Sequence, residues 1–255
     1  MALYTDGPIS SIEELTARDS QLLSVASTEG IDLTQKIGLA QDELTLELCG
    51  MLTATGSLLQ GVWTSPVGVQ NVVVTPALKV WHALRTLELV YGDAYHNELN
   101  DRYAGKRDQF RKMARWAYEQ LAQVGIGIAF IPVPKAATPD VYVSGPDVDS
   151  LPDGAYYVST AWINGQGEEG CNSNPAVVTT TASTFNVAAG AVPERATGWN
   201  VYVGTAPESM MLQNGTPLAG ETVWLQPATL ANGRQPSAGQ SPNVLRAIRQ
   251  FIQRG

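Results

Sequence analysis

The hydropathy pattern predicts a multidomain chain of the α plus all-β class: a helical bundle, then a β-sandwich, then a short helix at the end of the sequence. Three observations carry this. Apolar residues recur at steps of three and four from Leu15 to Leu121. Beyond Gly125 that period stops, and Ile131–Pro139 holds three prolines, each disfavouring the helical region for the residue before it. The period is then two, and from Val244 it is helical again. The expected divisions are 1–135 for the helical body, 136–241 for the sandwich and 242–255 for the last helix.

Ser11 and Glu14 have the spacing of a capping box, in which each side chain reaches the other's backbone N–H. Leu15, Leu22, Leu23 and Ala26 follow as an apolar stripe, and Gly30 is the expected stop. Asp32 is a good N-cap for a helix whose face is Leu33, Ile37, Ala40, Leu44, Leu48, Met51 and Leu52. Gly56–Val74 reads as a long loop with an extended piece at Asn71–Val74. Thr75-Pro76 opens the next helix, since proline at the first helical position lacks only an N–H that would be unpaired anyway. Gly92 is its expected end. A further helical region runs from about Asp93 to Val124, with Phe110, Ala114, Ala117 and Leu121 on the apolar face and Arg107, Lys112 and Arg115 opposite.

In the β region, Tyr156, Val158, Thr160 and Trp162 share one face of a strand. Val177–Thr181, Phe185–Val187, Trp199–Val203 and Thr222–Leu225 are further strands, with Asn164-Gly165, Asn214-Gly215 and Asn232-Gly233 as turn signals. About seven short strands in this length predict a sandwich. Ser241-Pro242 resembles a cap and first-turn proline. Val244, Leu245, Ile248, Phe251 and Ile252 then form an apolar stripe, with Arg246, Arg249 and Arg254 off it. A helix this short is marginal in water and needs a surface to dock on.

Charge narrows the function. The net charge is −8, made of −4 over residues 1–135, −7 over 136–241 and +3 over 242–255. An acidic chain is not built to grip phosphates by counterion release. No apolar run is long enough to span a membrane, and the first residues lack the basic-then-apolar order of a secretory signal. Cys49 and Cys171 fall in different predicted domains, so they read as free thiols.

The chain offers no G-x-S-x-G elbow, phosphate loop or dinucleotide fingerprint. His82 and His96 lie fourteen apart, too few ligands for zinc, and His82 reads as a packed helical histidine. Asp147, Asp149 and Asp153 lack EF-hand spacing. Glu168-Glu169 reads as a solvated loop tip and not an acid–base pair. The expectation is therefore a non-enzyme with no cofactor and no metal. Trp81, Arg102, Tyr103, Arg107, Arg111 and Arg115 interleave aromatic and basic residues on the helices, and the acids Asp101, Asp108 and Glu119 make these salt-bridged helix faces or a subunit interface and not a nucleic-acid surface.

Several stretches carry a likeness. Ile31–Glu43, Trp81–Arg85, Val90–Tyr103 and Gly125–Ala129 resemble the head-to-tail adaptor (head completion, neck or connector) proteins of tailed bacteriophages, over roughly residues 10–135 and the last helix. Tyr156–Gly170 and Gly198–Gly204 look like a fibronectin type III or Ig-like domain. The resemblance implies a homo-oligomeric virion protein, a ring of usually twelve copies assembled in the host cytoplasm. It would sit beneath the portal protein, meet tail or nozzle proteins below, and let DNA pass without sequence-specific binding. It also implies that Leu245, Arg246, Ile248, Arg249, Phe251, Ile252 and Arg254 bind the portal. The simplest adaptors lack a β insert. The alternative is an oligomeric module whose sandwich recognises carbohydrate or a cell-surface ligand, with Trp162, Trp199 or Trp224 as stacking residues.

Overall fold

The computed structural model describes residues 1–56, 67–97, 101–146 and 150–247. The chain is mixed α plus β and divides into two compact units. One comprises Gly7–Ile128 with the described residues from Pro242 onward; the other comprises Met1–Asp6 and Ala129–Ser241. The second is thus inserted into the first along the chain, and the first six residues belong to the inserted unit.

The helical unit contains α1 (Ile12–Arg18), α2 (Leu22–Glu29), α3 (Leu33–Gly56), α4 (Pro76–Asn97) and α5 (Ala104–Val124). Its boundaries are set locally. Ser11 Oγ accepts the Glu14 N–H at 3.3 Å, and Glu14 accepts the Ser11 N–H at 3.2 Å. Gly30 ends α2 in the left-handed region. Asp32 Oδ1 accepts the N–H groups of Thr34 and Gln35 at 2.8 and 3.2 Å. Thr75 Oγ1 accepts the Leu78 N–H at the start of α4.

Gly92 does not stop α4, which runs five residues further to Asn97. Glycine inside a helix costs only about 1 kcal/mol relative to alanine. Val90, Tyr91 and Ala94, all buried, supply more packing than that on either side. The core is built from Leu15, Leu22, Leu44, Leu48, Leu78, Leu84 and Leu87.

A small antiparallel sheet completes this unit. Its strands are β1 (Val72–Val73), β2 (Ile126–Ile128) and β10 (Val244–Arg246), in the order β1-β2-β10. This corrects the expected last helix: Val244, Leu245 and Arg246 form a strand opposite Ile128, Gly127 and Ile126. The physical reason is the exposed backbone of β2. One of its sides is taken by β1, and β10 takes the other. Ile248, Arg249, Phe251, Ile252 and Arg254 lie outside the described residues, as do Asp147 and Asp149.

The β unit holds β3 (Asp140–Pro146), β4 (Gly154–Asn164), β5 (Ala176–Thr180), β6 (Ser183–Ala188), β7 (Ala196–Gly204), β8 (Met211–Leu212) and β9 (Trp224–Leu225). They form two antiparallel sheets, β3-β6-β9 and β5-β4-β7-β8. Both sheets contribute to one apolar cluster, including Tyr156, Val158 and Trp162 of β4, Trp199 and Val201 of β7, Phe185 and Val187 of β6, and Trp224 of β9. The other face of β4 and β7 is covered too: Ala161 and Tyr202 pack with Met210. Asn164-Gly165 does make a turn. Asn232-Gly233 does not make a hairpin; it runs alongside β8, where the Leu212 N–H donates to Arg234 O at 2.9 Å.

Candidate functional site

The six helical residues singled out from sequence separate into core and surface. Trp81 is buried and meets Tyr118 edge-on, ring centroids 5.3 Å apart. Tyr103 is buried, tilted against Tyr91 at 6.1 Å, and its hydroxyl donates to Glu29 at 3.2 Å. Both rings are packed within the unit and expose little of themselves, so any part they play at an interface is confined to the groove that Trp81 lines.

The arginines stay at the surface. Arg102 places its guanidinium 5.1 Å from the Tyr103 ring, and Arg107 lies 4.0 Å from the Tyr95 ring while pairing with Asp108 at 2.8 Å. Arg111 and Arg115 border a groove of about 400 Å³ whose floor includes Trp81 and Tyr118 and whose other wall carries Glu47, Arg85 and Glu88. Arg115 also pairs with Glu119 at 3.5 Å, one turn on. Cations over aromatic faces contribute about 0.5–1 kcal/mol at exposed sites and hold the guanidinium planes in place. Trp116, beside Arg115 on α5, is more than half exposed. Its position one step off the Phe110, Ala114, Ala117, Leu121 stripe is the signal.

Beneath this surface lies a buried anchor. Asp19, itself buried, accepts hydrogen bonds from the Tyr91 hydroxyl at 2.6 Å, Lys106 Nζ at 3.0 Å and the Gln21 N–H at 3.2 Å. Burial alone would raise its carboxyl, but these donors outweigh burial and hold it below the usual carboxylate range. His82 is fully buried, with Nδ1 2.9 Å from Ser10 Oγ and Nε2 3.2 Å from Ile37 O. Burial lowers its pKa to about 4, so it is a neutral packing residue at pH 7.

At the other end of the helical unit, β10 presents Val244 and Leu245 to the surface, while the Nε and Nη2 atoms of Arg246 are buried. Among the described residues, neither atom has a hydrogen-bond partner.

In the β unit, Glu168 and Glu169 are not a solvated tip. Glu169 is buried and accepts from the Tyr202 hydroxyl and from Arg234. Burial, then this carboxylate, push the Tyr202 hydroxyl far above its ordinary value. Glu168 accepts from Asn164 Nδ2 at 2.8 Å and Gln240 Nε2 at 3.0 Å, and both amides also donate to Ile131 O. The two carboxylates tie the 165–169 loop to distant segments and are committed to that. Trp162, Trp199 and Trp224 are buried, so the stacking residues named for carbohydrate recognition are not at the surface. Among the described residues, no group of three or more His, Cys, Asp or Glu side chains is placed to hold a metal, and no helix is long and apolar enough to cross a membrane. Cys49 is exposed, Cys171 is half-buried, and both are free.

No protein-family model matches the chain, and no curated protein matches it.

Proposed function

We propose that this chain is a head-to-tail adaptor of a tailed bacteriophage: a non-enzymatic virion protein that forms a ring, joins the portal to the tail and lets DNA pass. The observation that carries the reading is the helical unit interrupted by the β unit and re-entered at β10. The sequence that follows β10, Ile248–Arg254, is apolar and basic and starts from a fixed point beside β2. That suits a segment meant to meet an acidic partner, here the portal. The arginines over Tyr95 and Tyr103, with exposed Trp116, fit the aromatic and Arg-rich make-up of protein interfaces and serve ring closure. A net charge of −8 lets duplex DNA move through a ring without adhering.

The β unit is read as an inserted Ig or fibronectin type III-like sandwich, a platform for tail or fibre proteins. Its strand order supports this. In Ig domains strand C pairs with F and F with G, with C′ flanking C in variable types, and B pairs with E. Here β4 pairs with β7, β7 with β8, and β5 flanks β4; β3 pairs with β6, while β9, which follows β8 in the chain, flanks β6 where Ig domains have strand D. Trp162 is buried on β4, the strand that would be C in this reading, where Ig domains carry a buried Trp.

The test is deletion of residues 248–255, which keeps β10. The shortened chain is expected to fold as before and to lose co-sedimentation with portal rings of the same phage, while the full chain joins them as closed rings. A shortened chain that joins portal normally, or a full chain that never does, overturns the proposal.

A further inference from the structure

Strand β10 carries an unresolved charge. Arg246 lies opposite Ile126, and Val244 opposite Ile128. Directly opposed residues in an antiparallel pair share a face, and Ile126 and Ile128 are buried. The guanidinium is therefore on the apolar face of the sheet. Its Nε and Nη2 atoms are removed from water, and among the described residues no acceptor meets either one. Arg246 as a whole is half-buried, and donors withdrawn from water without an acceptor are unfavourable, because the hydrogen bonds that normally offset their desolvation are missing. Desolvation accordingly lowers the Arg246 pKa.

The same strand has an open side. The sheet order is β1-β2-β10, so among the described residues no strand lies beyond β10. Leu245, on the opposite face from Arg246 and facing Gly127, is more than half exposed. An edge with unpaired backbone groups and exposed apolar side chains is a template for another strand.

We infer that β10 is a strand-addition site for an extended segment of a partner protein that carries a carboxylate. The added strand pairs its backbone with the open edge, an apolar residue covers Leu245, and an Asp or Glu side chain reaches Arg246. The carboxylate accepts from both buried N–H donors, in the fork geometry that makes arginine–carboxylate pairs strong. Charge decides the occupant: an acidic segment resolves the buried cation, whereas a neutral or basic one leaves it unpaired. The inference concerns β10 itself and stands whether or not the partner is a portal.

The experiment uses the full chain and two probes, acetyl-Val-Glu-Val-Glu-Val-amide and the same peptide with lysine in place of glutamate. At millimolar concentration the acidic peptide is expected to shift the backbone amide signals of Val244, Leu245 and Arg246 and the Arg246 Nε–H signal; the basic one leaves them in place. Arg246→Gln is expected to weaken the acidic peptide at least ten-fold. Without peptide, Arg246→Met is expected to melt a few degrees higher than the wild type, since it removes two desolvated donors that lack an acceptor. Equal responses to both peptides, no response to either, or an Arg246→Met chain that melts lower each overturns the inference. The last result would mean the guanidinium is already satisfied.

Discussion

Replacing Asp19 by alanine isolates the energetics of the helical surface, because one carboxylate ties three segments together. It receives the Tyr91 hydroxyl from α4, Lys106 from α5 and the Gln21 N–H ahead of α2. Removing it leaves the buried Tyr91 hydroxyl without an acceptor, at about 1–3 kcal/mol. Lys106 is over a third exposed and can regain water, so its loss adds under about 1 kcal/mol. The turn before α2 loses a bond worth about 0.5–1 kcal/mol. The expected total is about 3 kcal/mol. Asp19→Asn keeps a neutral acceptor for Tyr91 and should cost about half as much. Tyr91→Phe removes the stranded donor, so the Tyr91→Phe/Asp19→Ala pair should be less destabilised than the sum of the single changes by about 1–2 kcal/mol. The pH dependence has a definite sign. The folded carboxyl sits below its ordinary value, so its contribution is complete above about pH 4 and disappears as pH falls through the lowered folded value. Urea unfolding followed by far-UV circular dichroism measures the four variants against the wild type. An Asp19→Ala loss under 1 kcal/mol, or strictly additive effects with Tyr91→Phe, would refute the buried-anchor account.

His82, with its pKa at about 4 against 6.5 for a free imidazole, binds its proton later than the unfolded chain does. Stability should therefore fall by about 3 kcal/mol as pH drops from 6.5 to 4, and the ring's NMR titration should have its midpoint near 4. A midpoint near 6.5 would contradict its burial. Gly125→Ala should detach β10: the backbone there has φ +101°, and a Cβ would lie 2.7 Å from the Arg246 carbonyl carbon. A loss of at least about 2 kcal/mol is expected, with faster hydrogen exchange at Asn243, whose N–H donates to Ile128 O at 2.9 Å. Tyr202→Phe should cost the β unit about 1–2 kcal/mol by withdrawing a buried donor from Glu169, and unchanged thermal unfolding would show that Arg234 alone suffices.

What the sequence reveals here tracks how far apart the interacting residues lie. Ser11 with Glu14, Asp32 with Thr34 and Gln35, and Thr75 with Leu78 are partners within three positions, and each cap is readable as a spacing. The strands β4 and β7 are readable because their alternation is set by a shared buried face. Glu169 is not: its partners Tyr202 and Arg234 lie 33 and 65 residues away, and two adjacent acids between glycines look the same whether solvated or enclosed. Gly92 is a stop signal by type, overridden by packing around it. At the candidate site, Arg102 beside Tyr103 is legible as a neighbour pair. Trp81 and Tyr103 are legible only as aromatic, since the side of the helix they face depends on which neighbouring helices cover it.

The strand at Val244–Arg246 is the sharpest case of tertiary context overruling local period. The residues Val-Leu-Arg-Ala-Ile fit a helix stripe, but a short isolated helix gains little by itself. What tips the balance is β2. Its Gly127 lets neighbouring groups come close, since a Cβ there would meet Thr75 Cγ2 at 2.8 Å and Pro242 Cβ at 3.1 Å. Gly125, just before it, does the same for the backbone at Arg246 and Ala247. Two glycines two residues apart thus open one side of β2 for the returning chain and fix where it lands. Residues up to Ala247 are consequently part of the helical unit's architecture. A deletion that removed them would confound loss of folding with loss of partner binding, and a partner-binding role can be tested only beyond that point or at side chains, such as Arg246, that the strand leaves unsatisfied.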